Sequence, residues 1–464
     1  MTDIPVTAPF DGSEITTVPN ATREDVERAL ATAHGLYRDR DGWLSKPQRI
    51  EILRKAAEII KERRQELAVA AAREGGKPLP DSLVEIDRAA DGVENCVEVL
   101  RSEGGRVIPM SLNPSSTGRV AFTQFEPIGV VVAVSAFNHP FNLIVHQVAP
   151  AIAVGCPVIV KPADVTPLSC YAFVEILHEA GLPKEWCHVL VPQDLADASA
   201  LVTDERNAFF SFIGSARVGW MLRSQLAPGT RCALEHGGAA PVILAADADL
   251  DDALPRLAKG GFYHAGQVCV SVQRIFAHSS IAAKSAEKLA EIGAAMKVGD
   301  PTLADTEVGP LIRKGEVDRV DEWVQAAIAG GAKCLTGGER VSDSCYKPTV
   351  LLDPPADANV STMEIFGPVI CVYSYDDLDA AIAQANSLPV SFQAAVMTKD
   401  IDTAMRVYNR IDATAVMVNE HTAFRVDWMP FAGARQSGHG VGGIPFTMHE
   451  MQVEKMMVLR SDEL

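Results

Sequence analysis

The stretch from residue 129 to residue 224 constrains the fold of this chain more than any other. Short apolar runs without alternation, GVVVAVSAF, PVIVK, HVLV and AFFSFIG, are separated by segments of helical period, NLIVHQVAPAIAVG and PLSCYAFVEILHEAG, and the last run opens into SARVGWMLRSQ. A strand that is apolar at every position must be covered on both faces. Helices of about ten to fifteen residues between such strands are the crossovers that a parallel sheet requires. Nucleotide ligands in folds of this kind sit outside the carboxyl ends of the strands.

A second α/β series starts near residue 240, with APVILA, RIFAH, KCLTGG, PTVLLD, GPVICVYSY, FQAAVMT and TAVMVN as its strands. A domain boundary is therefore expected at Gly237-Gly238. Helical periodicity dominates the first hundred residues. Thr22 and Asp25 have capping-box spacing ahead of Val26, Leu30 and Ala33, and a second helix begins after Pro47 and stops by Gly75-Gly76. The segment 107–126 fits neither series and reads as a protruding hairpin able to pair with another chain.

At 464 residues the chain exceeds one ordinary core, and two or three domains are expected. Its 60 acids against 42 bases give a net charge of −18, which argues against nucleic acid or an anionic membrane surface as partner. Nine scattered cysteines with no CxxC pair fit free thiols in a reducing compartment and offer no zinc or iron–sulfur spacing. The opening MTDIPVTAPFDGSE has no signal-peptide pattern and no run is long and apolar enough to span a membrane, so a cytoplasmic location is expected.

Four segments could carry chemistry. GSARVG, residues 214–219, joins a strand to a helix, where a tight turn and free N–H groups would face an anion; an ordinary strand–helix turn reads equally well. LEHGGAAP sets Glu235 in an apolar neighbourhood that would raise its pKa towards that of a general base, against a glutamate pointing to solvent. FNHPFN sets Asn138 at the carboxyl edge of the sheet, where its amide could donate to an oxyanion, against a plain Asn-Pro turn. YHAGQVCVSVQR holds Cys269, either a nucleophile or one buried thiol among nine. GHGVGG, residues 438–443, has the letters of a dinucleotide fingerprint but no βαβ context, and reads as a loop.

Taken in order, these segments resemble the aldehyde dehydrogenase superfamily over nearly the whole chain. FNHP is similar to the family's segment bearing the oxyanion asparagine, which implies that role for Asn138, with Ala136 and Phe137 beside the cofactor. KPAD resembles the segment that holds the adenosine ribose, with Lys161 matching and Asp164 where a glutamate is usual; Lys161 is also counted among the catalytic group. FIGSARVG looks like the phosphate-facing turn, through Gly214, Ser215 and Gly219. LEHGG implies Glu235 as base, GQVC implies Cys269 as nucleophile, and EIFGP implies Glu364 and Phe366 against the nicotinamide ribose and ring. PFAGARQSG resembles the family's C-terminal Pro-Phe-Gly-Gly run, with Arg435 where lysine is common.

The resemblance implies a Rossmann-like parallel-sheet cofactor domain (1–106 and 127–237), a second α/β catalytic domain (238–432) and a small β oligomerisation arm (107–126 and 445–464). It implies oxidation of an aldehyde to its acid with NAD or NADP, without a metal, through a Cys269 thiohemiacetal and thioester that water activated by Glu235 hydrolyses. Asp164 leans the cofactor towards NAD and leaves NADP open. Val268 and Val270 are expected as substrate-pocket walls. His139, in place of the usual aromatic, and Arg425 in HTAFRVDW suggest an anionic or polar aldehyde, unless His139 only packs and Arg425 pairs with Asp427. A CoA-acylating enzyme and a catalytically silent binding or structural member are the alternatives, and a homodimer or homotetramer is the expected assembly.

Overall fold

The computed structural model describes residues 3–464. Two mainly parallel sheets carry the two apolar series. The first has six strands in the order Gly438–His439, Arg231–Glu235, Asn207–Ile213, Val130–Val134, Val158–Lys161 and Cys187–Val189. All its pairings are parallel except that of the two-residue strand Gly438–His439. The chain leaves Val130–Val134 towards one edge and returns to the other side of it. Its switch point therefore lies where Val134 and Ile213 end side by side, the crevice in which open α/β sheets bind ligands.

The second sheet has seven strands, ordered Lys333–Thr336, Thr349–Leu352, Val369–Tyr375, Val272–His278, Ala240–Leu244, Gln393–Met397 and Ala415–Val418. Only its first pairing is antiparallel. The central strands are buried almost throughout, as their unbroken apolar sequence requires.

The helix Asn142–Val154 matters most for the site. All 13 of its residues are buried, and it ends at Gly155 in the left-handed region at φ +92°. Its N-cap position, Phe141, offers no capping side chain. Instead the buried carboxylate of Glu85, on helix Leu79–Ser102, accepts from the N–H groups of Phe141 and Asn142 at 3.0 Å each. A negative group at a helix N-terminus is favoured by the unpaired N–H groups and by the dipole. Here it also ties down the FNHP loop.

Near the N-terminus the structure departs from the helical expectation. Ile4–Thr7 and Glu14–Val18 form an antiparallel hairpin, too short for periodicity to reveal. Thr22 and Asp25 do make the capping box of Arg23–Arg38. The expected second helix is broken at Arg63 into Lys46–Glu62 and Arg64–Gly75, because Arg63 is not helical.

Residues Val107–Ile108, Arg119–Pro127 and Gln452–Arg460 form a separate three-stranded antiparallel sheet. Its last strand exposes Met456, Met457, Val458 and Leu459 along one edge. Among the described residues no helix is long and apolar enough to cross a membrane.

Candidate active site

A cavity of about 500 Å³ opens at the switch point of the first sheet and reaches the second. Its wall includes Ala136, Phe137, Asn138 and His139 after Val134, Gly214 and Ser215 after Ile213, and Glu235 at the end of its own strand. The second sheet's side contributes Val268, Cys269, Val270, Glu364, Phe366 and Arg425. Residues 131 positions apart in the chain, Asn138 and Cys269, thus share one wall.

Cys269 follows a strained turn. His264, Ala265 and Gly266 have φ of 49°, 53° and 70°, and a Cβ on Gly266 would fall 2.0 Å from the Gly367 carbonyl oxygen. Left-handed backbone at non-glycine residues persists only where the surroundings impose it. Gln267 supplies much of that constraint. Its side-chain amide donates to the carbonyls of His264 and Pro310, and its Oε1 accepts from the Ile312 N–H at 2.9 Å. Its carbonyl accepts from Asn138 Nδ2 at 2.9 Å, which joins the FNHP loop to the cysteine loop.

The thiol of Cys269 is pushed up to about 12, first by burial and then by the charges of Glu364 and Glu235, with Arg425 opposing. Burial also raises Glu235, again against the pull of Arg425. Burial pushes Glu364 up to about 8, and its Oε1 is enclosed without a hydrogen-bond partner. A Cβ on Gly237 would lie 1.6 Å from that same oxygen, so glycine is required there for the carboxylate to sit where it does. Phe366, at φ +48°, meets Phe137 edge to face at 5.9 Å between ring centroids. An unpartnered carboxylate oxygen beside a glycine, with two aromatic rings next to it, suits a ligand rich in hydroxyl groups and carrying a flat ring. A nicotinamide nucleotide meets that description.

Lys161, Asp164 and Gly219 stand elsewhere. Lys161 is not on the cavity wall, and its Nζ pairs with Asp164 at 2.6 Å and donates to the Pro162 carbonyl. It ends the strand next to Val130–Val134, one strand removed from the crevice, so it does not stand with Cys269 as a catalytic group. Gly219 is also off the wall; it makes room for His236, whose ring would lie 2.1 Å from an added Cβ. His236 in turn reaches the Gly214 carbonyl through Nδ1 at 2.8 Å and so pins the turn.

The substrate side holds groups that no motif announced. Asp427 does not pair with Arg425. It accepts from Arg88 at 2.7 and 3.0 Å, from Asn142 Nδ2 at 3.3 Å and from His146 Nε2 at 2.6 Å. Although burial opposes it, these partners hold its carboxyl far below the usual range. Arg425 lies over the Phe431 ring at 3.6 Å from its centroid and touches His146 Nδ1 at 3.4 Å; its Nε is enclosed without a partner. His139 meets the buried Lys77, and Tyr263 stands beside it.

The family model described as the aldehyde dehydrogenase family matches residues 1–457. The 3-sulfolactaldehyde dehydrogenase of Priestia megaterium is 37% identical over 439 residues, covering 95% of this chain and 91% of that protein. Aldehyde dehydrogenase 21 of Physcomitrella patens, solved with the reaction product succinate, superimposes with a TM-score of 0.94 at 34% identity, over 99% of this chain and 95% of that one. The glyceraldehyde-3-phosphate dehydrogenase of Methanocaldococcus jannaschii, complexed with NADP, gives 0.94 at 32% identity over 99% and 100%.

Proposed function

The chain belongs to the aldehyde dehydrogenase family and oxidises aldehydes with NAD(P), and from that premise we propose that Cys269, Asn138 and Glu235 act on a short anionic aldehyde. The observation that carries the substrate class is Arg425. It is a guanidinium on the cavity wall with an unpartnered Nε and no carboxylate within ion-pair distance among the described residues, whereas Arg88 is neutralised by Asp427. A half-buried cation with no carboxylate in contact, beyond the more distant pull of Glu235 and Asp427, favours a ligand that brings one. The relatives named for sulfolactaldehyde, for glyceraldehyde 3-phosphate and for succinate as product all handle anionic molecules.

The resting thiol of Cys269 is protonated, so its proton must leave before attack. Glu235, whose affinity for a proton burial raises, accepts it. The sulfur adds to the aldehyde carbon and the carbonyl oxygen becomes an alkoxide. One N–H of Asn138 is spent on Gln267; the second donates to that alkoxide together with the backbone N–H of Cys269. Each such donor lowers the barrier by about 3 kcal/mol. A bound nicotinamide cofactor would supply the hydride acceptor that collapse of the thiohemiacetal to a thioester requires. Glu235, once the thiol's proton has passed to solvent, deprotonates a water that attacks the thioester; the thiolate leaves as the acid forms and takes the proton back from Glu235. Glu364 and the Gly214–Ser215 turn are the cofactor's anchors in this reading, with Lys161 and Asp164 at its adenosine end.

A base on the same cavity wall as Cys269 favours hydrolysis over transfer to CoA. The exposed apolar strand Gln452–Arg460 suits pairing between copies of the chain, and a cytoplasmic homo-oligomer completes the reading. The test of the substrate class compares kcat/KM for succinic semialdehyde and butanal, in the native enzyme and in Arg425→Gln. A preference for the carboxylated aldehyde of about tenfold or more, lost in Arg425→Gln, is expected. Equal use of both aldehydes, or a preference indifferent to Arg425, refutes it.

A further inference from the structure

A second set of polar groups on the cavity wall has a fixed direction. Lys77 is fully buried and ion-paired with the buried Glu85, and its Nζ lies 2.7 Å from Nδ1 of His139. A lysine ammonium has donors and no acceptor, so Nδ1 must accept. Burial, with the charges of Lys77 and Arg88, keeps the imidazole neutral. Its one proton is therefore on Nε2. Tyr263 Oη stands against the ring 3.3 Å from Nε2, off the line of its N–H, and no other group among the described residues accepts from Nε2. Oη is also 3.4 Å from Nδ1, but that lone pair is already taken by Lys77. The Tyr263 hydroxyl hydrogen is thus left without an acceptor in the protein, and burial keeps the phenol protonated. Lys77, a cation that cannot accept, closes one end of this group, and His139 Nε2–H and Tyr263 Oη–H are left as two adjacent donors at the other.

The open end lies at the reacting centre. His139 follows Asn138 directly, and Tyr263 packs in the same small cluster as Val268, Cys269 and Val270. Both side chains line the cavity. We propose that His139 and Tyr263 form a donor subsite for an oxygen on the carbon next to the aldehyde, which makes 2-hydroxy aldehydes the preferred substrates. This rests on the reading that Cys269 and Asn138 hold the reacting carbonyl, and it is independent of Arg425. Sites built to hydrogen-bond a substrate hydroxyl discriminate strongly against the analogue that lacks it, because the donor is then left unpaired.

The experiment measures kcat/KM for 2-hydroxypropanal and propanal, each corrected for its hydrated fraction, with saturating cofactor. Neither aldehyde is charged, so the anionic-substrate reading does not enter. The native enzyme is expected to favour 2-hydroxypropanal by about tenfold or more, and Tyr263→Phe and His139→Phe to bring the ratio to within about twofold of one. Lys77→Met, which removes the closed end of the group without touching substrate, is expected to lower the ratio partway. Should that variant fail to fold, Tyr263→Phe, which deletes a single oxygen, carries the test. A native ratio near one, or a ratio unchanged by Tyr263→Phe, overturns the subsite. Turnover surviving in Cys269→Ala would instead overturn the reading of the site beneath it.

Discussion

Where Gly214, Ser215, Gly237 and Glu364 line the cavity the wall is mostly backbone; where Arg88, His139, His146 and Arg425 line it the wall is charge and imidazole. The first side holds a single carboxylate, and its shape depends on glycines that a methyl group would close. On the second side Lys77, Arg425 and Asp427 reach two histidines, and Glu85 and Arg88 pair with Lys77 and Asp427 behind them. Backbone geometry suits a ligand that never changes. Side-chain charge suits a ligand by which one member of a family differs from the next. Cys269 and Glu235 sit on the seam, and the two sides should therefore fail separately.

The sharpest cut is Cys269→Ala. Turnover should fall by about 10⁴-fold or more, as when a nucleophile is deleted. Cofactor binding, followed by fluorescence titration, and anionic-aldehyde binding, followed by calorimetry, should both persist. If either is lost with the chemistry, the two sides are not independent. Glu235→Gln should come next, lowering kcat by about 10²- to 10³-fold. Its pH dependence has a definite sign. Glu235 works as the carboxylate, and its pKa is raised by burial. Native kcat/KM should therefore fall as pH drops through a pKa above that of an ordinary glutamate, and Glu235→Gln should lack this acid limb. An unaltered limb in the variant would assign it to another group.

Gly237→Ala breaks one side only. The new Cβ would displace the Glu364 carboxylate, whose Oε1 lies 1.6 Å from its position. Loss of one or two hydrogen bonds costs about 0.5–3 kcal/mol, so the cofactor KM should rise by up to about 100-fold. The ratio of kcat/KM for anionic and neutral aldehydes should stay within about twofold, since the charged side is untouched. A parallel change in that ratio would mean that the backbone wall also shapes the substrate.

The same contrast explains what could be read from the chain. The backbone side and the seam lie in contiguous strings, FNHP, LEHGG, GQVC and EIFGP, because a tight turn needs its glycines and its functional residue adjacent. Even so, the string did not say that Gln267 is the brace for both the cysteine loop and Asn138; only its four hydrogen bonds do. The charged side was nearly silent. Lys77, Glu85 and Arg88 stand in or beside the helix Leu79–Ser102 and belong to no contiguous motif, and Asp427 meets Arg88 from 339 positions away. His146 sits in a helix buried all round, where a polar residue looks like an exception and not a site. Packing alone brings these groups together. The N-terminal hairpin was missed for a simpler reason, since four- and five-residue strands carry too few alternations to outweigh the helical signal that follows.

Asp164 gives the smallest expected effect and tests whether the backbone side is wholly indifferent to charge. Its carboxylate is half exposed and tied to Lys161 at 2.6 Å. In the position that the family resemblance gives it, beside the adenosine ribose, it would repel a 2′-phosphate and accept from a 2′-hydroxyl. Exposure weakens both effects, because water and salt screen a surface charge to about 1 kcal/mol or less. The native enzyme should therefore favour NAD over NADP by only about two- to fivefold in kcat/KM. Asp164→Ser should remove most of that margin by raising the NADP value, chiefly because Lys161 is freed to meet the phosphate. Raising the ionic strength should narrow the native preference in the same direction. A native preference for NADP would overturn the lean to NAD, and a margin indifferent to both salt and Asp164→Ser would move the discrimination into the backbone of the turn itself.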